Sequence, residues 1–320
     1  MNKIRIAVVG VGEFGRNHVR VVRQSPRAEL VAVVDTDSAR AAETAAANGC
    51  AAFTDVRELK GKIDAAIVAA PTSAHSDAGS ALMEAGIDVL VEKPIAPDLA
   101  SADRLIQAAE ASGRILQVGH LERFNPAVIA LEKAARLPLF FEIHRLSVFS
   151  SRSLDVDVVL DLMIHDIDIL LSLVPNEIAE IRAAGISILT PKVDIANVRL
   201  EFHGGCVANL TASRVSTDRV RKLRLFQPHQ YISVDYGRQD AAVFSVGANR
   251  QISFEQMPVT KAEPLALQLE SFLDCVESRL TPKLSGPGAR RTLEAALAIL
   301  AKIEEHSRVV AQALVPGWKP

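Results

Sequence analysis

Hydrophobic positions fall into two rhythms along the chain. Through about Gly119, unbroken apolar runs at Ile4 to Val9, Leu30 to Val34, Ala65 to Ala69, Val89-Leu90-Val91 and Ile115 to Val118 alternate with stretches of helical spacing. Runs without polar interruption are what strands covered on both faces require. Helices are read at Phe14 to Arg23, Ala39 to Ala47, Ser76 to Ala85 and Leu99 to Ser112, and Gly49, Gly86 and Gly113 stand where three of them would close. Strand and helix in turn predict βαβ units and a parallel sheet. From Phe140 the spacing is β-like, at Phe140 to Val148, Ile178 to Ile188, Ala196 to Phe202, Val207 to Ser213, Lys222 to Phe226, Tyr231 to Val234 and Ala242 to Val246. One helix, Val158 to Val174, interrupts them, and two more follow at Pro264 to Glu277 and Gly288 to Leu314. That order predicts an α+β domain with a large, mainly antiparallel sheet. The expected domains are 1–121 and 122–320. An open sheet whose outer face needs a cover predicts self-association, as a homodimer or homotetramer.

A chain of 320 residues exceeds one core and agrees with two domains. Its 36 basic and 38 acidic residues leave a formal charge of −2, so no global field favours nucleic acid or an anionic membrane. Any anionic ligand must be held locally. Cys50, Cys206 and Cys275 form no C-x-x-C pair. Buried free thiols are the expected reading, with neither a metal cluster nor a disulfide framework. The run Ile6-Ala7-Val8-Val9-Gly10 is too short for a secretory segment. No stretch approaches the ~20 apolar residues of a membrane span, and the cytoplasm is the expected compartment.

Gly10-Val11-Gly12-Glu13-Phe14-Gly15 is a G-x-G-x-x-G between the first strand and the first helix. In that context Gly10 permits a tight turn, Gly12 lets the backbone approach a pyrophosphate, and Gly15 allows close helix–strand packing, the signature of a Rossmann domain. The second strand ends in Val33-Val34-Asp35, which places Asp35 to accept hydrogen bonds from a ribose. An acid there repels the 2′-phosphate of NADP, so NAD is the expected cofactor and NADP the less favoured one, with Arg40 as the complication. The alternative for Asp35 is to cap the next helix, a task that Asp37 or Ser38 fits better. His18 is read as a packed helix residue.

Two more segments sit at strand ends, where ligands bind in such sheets: Ala69-Ala70-Pro71-Thr72-Ser73-Ala74-His75 and Val89-Leu90-Val91-Glu92-Lys93-Pro94. Together with the glycine loop, Gln117-Val118-Gly119, Arg123-Phe124-Asn125-Pro126 and Asp161-Leu162-Met163-Ile164-His165-Asp166-Ile167-Asp168, they resemble the Gfo/Idh/MocA oxidoreductases. The resemblance is close through the helix ending at Val174 and holds in outline beyond it. It implies that Glu92 and Lys93 lie beside the nicotinamide, that Glu13, Phe14, Pro71, Thr72 and His75 contact the cofactor, and that Asp161 and His165 face it from the second domain. The residues agree, since Asp161, His165 and Asp168 at i, i+4 and i+7 share one helix face. The alternative is three polar groups satisfied at a surface or an interface. One departure stands out: where the family often has a glycine four residues before the helix aspartate, this chain has Asp157, in the acidic run Leu154-Asp155-Val156-Asp157-Val158.

The chemistry so implied is oxidation of a secondary alcohol, which needs a base for the hydroxyl proton and a hydride acceptor at the carbon. His165 suits the base, Lys93 suits stabilisation of a developing alkoxide, and Asp161 suits orientation or charge balance. Which of Lys93 and His165 takes the proton first is left open by the sequence. The wider pattern from Val118 to Pro126 and from Asp155 to Asp168 is similar to the branch of the family acting at C3 of UDP-N-acetylglucosamine, whose 3-keto product feeds an aminotransferase in lipid A synthesis. For such a nucleotide sugar the expected substrate residues are Glu122, Arg123, Arg145, Arg152 and Asp168, the arginines for the pyrophosphate. A free sugar or inositol is the alternative substrate. A cofactor-binding sensor without chemistry is the alternative class, and retention of both Lys93 and His165 speaks against it.

Overall fold

A computed structural model describes residues 3–149, 156–247 and 249–313. Two compact units emerge: the chain through Leu121 with Glu263–Leu293, and Glu122–Ala262 with the chain from Glu294 onward.

The first unit begins β1 (Ile4–Val9), α1 (Glu13–Gln24), β2 (Ala28–Val34), α2 (Ser38–Asn48) and β3 (Ala51–Phe53), and continues β4 (Ala65–Val68), α3 (His75–Glu84), β5 (Asp88–Glu92), α4 (Leu99–Ser112) and β6 (Leu116–Gly119). Its sheet is parallel throughout in the order β3-β2-β1-β4-β5-β6. The order reverses direction between β1 and β4, and in open α/β sheets the crevice outside the strand ends at that point is the ligand site. Every residue of β4 and β5 is buried, which explains the unbroken apolar sequence of β4 and the apolar centre Val89-Leu90-Val91 of β5. The three-residue β3 was not foreseen, because Ala51-Ala52-Phe53 is too short to show a period.

The second unit contains α5 (Pro126–Ala134), β7 (Phe140–Leu146), a π-helical turn Val159–Met163, α6 (Ile164–Leu173) and the strands β8 (Ile178–Ile186), β9 (Ile195–Phe202), β10 (Val207–Ser213), β11 (Val220–Gln227), β12 (Gln230–Asp235), β13 (Asp240–Val246) and β14 (Ile252–Gln256). They form one sheet in the order β14-β13-β12-β11-β7-β10-β9-β8, antiparallel except where β10 meets β7. Alternate residues such as Phe141, Ile143, Leu210, Leu223 and Leu225 face a core completed by Val128 and Leu131 of α5 and by Ile164, Ile167 and Leu170 of α6. The period of two is what a sheet with one covered face demands.

The C-terminal helices are α7 (Pro264–Ser278) and α8 (Gly286–Ala313). Leu265, Leu269, Phe272 and Leu273 of α7 are buried in the core of the first unit. A division into 1–121 and 122–320 therefore needs correction, since Glu263–Leu293 belongs with the Rossmann sheet. Later turns of α8 contribute Ala296, Ile299 and Ile303 to the second core. Among the described residues no helix is long and apolar enough to cross a membrane, and no group of His, Cys, Asp and Glu is arranged to hold a metal. The three cysteines are free thiols, and burial pushes that of Cys206 up to about 11.

Candidate active site

The glycine loop turns from β1 into α1 beside a cleft of about 510 Å³ lined by Gly10, Gly12, Glu13, Phe14, Asp35, Arg40 and Pro71, among others. Each glycine has its own reason. Gly10 holds φ +82°, and a Cβ there would lie 2.6 Å from the Ala70 nitrogen. A Cβ on Gly15 would collide with the Gly10 carbonyl oxygen. Gly12, in contrast, has φ −64°, and among the described residues no atom would lie within 4 Å of a Cβ there. Neither backbone strain nor packing asks for glycine at position 12, so the open space in front of it suits an approaching pyrophosphate.

Asp35 directly follows β2, with a carboxylate only 6% exposed. Its oxygens accept from the backbone N–H groups of Val11 and Asp37, at 3.0 Å each, and from Arg40 Nη1 at 3.3 Å. Capping α2 falls to Asp37, whose side chain accepts from the Ala39 and Arg40 N–H groups. Asp35 is thereby left to the cleft, with Arg40 laid across it.

Thr72 opens a short 3-10 turn, and His75 begins α3 behind it. The ring of His75 is buried, with Nδ1 2.9 Å from the Pro94 carbonyl oxygen and Nε2 2.9 Å from that of Ala70. Burial holds its pKa below the usual imidazole value, against the opposing pull of those carbonyls. His75 thus ties the end of β4 to the segment after β5, a positioning role rather than an exposed contact surface. Glu92 is likewise buried: Oε1 is 2.8 Å from His18 Nε2 and Oε2 accepts from the Lys93 N–H at 3.3 Å. Gly119 stands so close that a Cβ would lie 2.6 Å from Glu92 Oε1. His18, whose ring also meets Phe14 edge-on with centroids 5.3 Å apart, is the packed helix residue expected. Its partner was not foreseen. Lys93 is half-buried immediately beyond this carboxylate.

In the second unit, Asp161 lies in the π-helical turn and His165 at the start of α6, both half-buried. Such π turns occur frequently at functional sites. Asp157 is used locally, accepting from the Val193 N–H at 2.9 Å. The predicted substrate residues are drawn together, but with one another. Arg123 pairs with Glu132 at 2.9 Å and with Asp168 at 3.4 Å. Arg145, 2% exposed, donates through Nε and Nη2 to both oxygens of Asp166 and through Nη1 to Glu122, at 2.7–2.8 Å. That geometry corrects the reading of Arg145 as an available cation: it is the centre of a buried knot. Asp166, adjacent to His165 and overlooked in the sequence, is the knot's main acid. Burial pushes Glu122 upward, but the charges of Arg145 and Arg221 and the Arg145 hydrogen bond hold it below the usual carboxylate range. Arg152 lies outside the described residues.

Against this geometry stand the comparisons with known proteins. Profiles of the Gfo/Idh/MocA oxidoreductases match twice, the NAD-binding Rossmann domain over residues 4–120 and the C-terminal domain over residues 138–229. UDP-N-acetylglucosamine 3-dehydrogenase of Acidithiobacillus ferrooxidans is 36% identical over 310 residues, which are 95% of this chain and 98% of that protein. The chain belongs to the Gfo/Idh/MocA family. A solved structure of the Acidithiobacillus enzyme superposes with a TM-score of 0.90 over 95% of this chain and 99% of that one. Another Gfo/Idh/MocA relative, the scyllo-inositol 2-dehydrogenase (NAD(+)) of Bacillus subtilis, is 27% identical over 322 residues, 93% of each chain. Scyllo-inositol dehydrogenase of Lactobacillus casei, solved with NAD(H) and scyllo-inositol, shares the Gfo/Idh/MocA fold at 17% identity, with a TM-score of 0.80 over 95% of this chain and 98% of that one.

Proposed function

We propose that this protein oxidises the C3 hydroxyl of UDP-N-acetylglucosamine to the 3-keto sugar with NAD. The observation that carries the reading is likeness to the Acidithiobacillus enzyme at 36% identity along 95% of the chain, so that it includes the substrate-binding unit as well as the Rossmann unit. The inositol relative spans nearly as much of the chain, 93%, but at 27% identity. When bound, NAD accepts the hydride from the sugar carbon. His165 takes the hydroxyl proton, Lys93 stabilises the developing alkoxide, and Asp161 balances the charge between them. Gly12, Asp35 and Pro71 hold the cofactor along the cleft, and Asp35 selects NAD over NADP. Such a product suits an aminotransferase of lipid A synthesis, and the cytoplasm is the compartment proposed for the enzyme. The assembly is a homodimer or homotetramer built on the large sheet.

NADH formation with UDP-N-acetylglucosamine, myo-inositol and glucose in parallel tests the reading. Turnover is expected with the nucleotide sugar. Lys93→Met and His165→Ala should each lower kcat by about 10²-fold or more, and the double variant should lose little further, because residues acting as one unit give non-additive losses. Reaction of the free sugars alone would move the protein to the inositol branch. Near wild-type turnover by His165→Ala would remove the helix from the chemistry, and tighter binding of NADP than of NAD would overturn the cofactor choice.

A further inference from the structure

We infer that Arg221, with Arg219 beside it, is the anion hook of the second unit and binds the diphosphate of the nucleotide-sugar substrate. The inference rests on the substrate reading above and names the residues that would recognise its charged centre. Arg221 lies on β11 directly opposite Arg145 on β7, and directly paired residues on neighbouring strands project to the same side of a sheet. Two cations so placed repel unless each has a counter-charge. The local carboxylates are spent unequally: Asp166 and Glu122 hold Arg145 at 2.7–2.8 Å, whereas the ion pair left to Arg221 is with Glu122 Oε1 at 3.7 Å. Among the described residues its Nε is buried without an acceptor, while the side chain as a whole is 36% exposed. Burial and the neighbouring charges of Arg145 and Arg219 all press the guanidinium toward losing its proton, a pressure that Glu122 and Asp166 only partly offset.

An arginine in that state, half-desolvated and under-neutralised, gains most from a bound anion. Its planar fork matches phosphate oxygens, and Arg219, exposed just before β11, adds a second positive charge for a second phosphate. The position is also apt. Arg221 stands at the end of the sheet where β7 and β10 finish, Arg145 and Ser213 lying next to those ends. There it shares the knot with Asp166, the residue that follows His165 on α6. Arg145, foreseen for this task, is saturated, while Arg221, which the sequence did not single out, retains the donors to perform it.

The test combines UDP binding by calorimetry with steady-state kinetics on the full-length enzyme, for wild type, Arg221→Met, Arg221→Lys, Arg219→Ala and, as a control on the far edge of the sheet, Arg182→Ala. Loss of a charge-assisted contact corresponds to binding about ten- to a hundredfold weaker. Arg221→Met should raise KM for UDP-N-acetylglucosamine and weaken UDP binding by that factor, with kcat at saturation and NAD affinity retained. Arg221→Lys should recover part of the loss, Arg219→Ala should show a smaller one, and Arg182→Ala should match wild type. Inorganic pyrophosphate should compete with UDP in wild type and not in Arg221→Met. If Arg221→Met fails to fold, the lysine and Arg219 variants carry the same comparison. UDP binding equal in wild type and in both Arg221 variants would overturn the hook while leaving the substrate reading in place. Failure of wild type to bind UDP or to turn over the nucleotide sugar would overturn both.

Discussion

Gly12 and Gly15 stand three residues apart where the loop enters α1, yet they answer to different demands. Gly15 is required by the protein itself, because any side chain would strike the Gly10 carbonyl. Gly12 has a backbone that other residues adopt and open space ahead of it, so its demand comes from outside the chain. Gly12→Ala should therefore leave the melting temperature near that of wild type while weakening NAD binding by at least about tenfold, the scale of one displaced hydrogen-bonded contact. Gly15→Ala should melt well below wild type. Cofactor fluorescence titration with a thermal melt separates the two, and NAD binding undiminished in Gly12→Ala would refute the assignment of that space to the pyrophosphate. The spacing of these glycines was readable in the sequence, because the motif is local. The bond between His18 and Glu92 was not, since 74 residues separate the partners and nothing near either of them announces the other.

At the level of elements, the second unit shows why polar residues on an apolar helix are hard to assign from spacing alone. Asp161, His165 and Asp168 follow a helical period, but the acid that meets the sheet is Asp166, and it does so because β7 presents Arg145 to α6. Helix α5 was also missed, although Asn125 caps it through the Ala127 N–H and Pro126 occupies its first turn. Its nine residues bury only a few side chains and show no strong stripe. The knot of Arg145, Asp166 and Glu122 should behave as a structural device. Arg145→Met should destabilise the protein by about 3–5 kcal/mol, because it strands two carboxylates in a desolvated site. Adding Glu122→Gln and Asp166→Asn to Arg145→Met should recover much of that loss, since the stranded charges go with the arginine. Urea and thermal unfolding measure it. A single variant as stable as wild type would show that the knot is solvated and contributes little.

For the whole molecule, the large sheet raises the question of what covers its outer face. Phe140, Phe226, Tyr231, Phe244 and Phe254 are directly paired across five neighbouring strands, with ring centroids 5.0–5.6 Å apart. The row lies on the side opposite Leu223, Leu225, Ile232 and Val234, whose burial marks the core face. Its first four members are half-buried, but at the β14 edge Phe254 is 61% exposed and neighbouring Ile252 76%. An aromatic stripe of this extent, flanked by an edge strand whose residues are all exposed, fits a second copy of the same surface better than solvent. Sequence alone suggested an open sheet here, but the alignment of the rings depends on the register of four strand pairs and emerges only from the fold. Light scattering at micromolar concentration should return two or four times the chain mass of 34.4 kDa. Phe244→Asp with Phe254→Asp should shift that mass to the monomer, because the two carboxylates would have to be desolvated at the interface. The same variant should keep its NAD affinity, since the cleft beside the glycine loop, proposed for the cofactor, is lined by residues of the Rossmann unit. A wild-type mass of one chain, or an aspartate variant that assembles as before, would exclude this face as the interface.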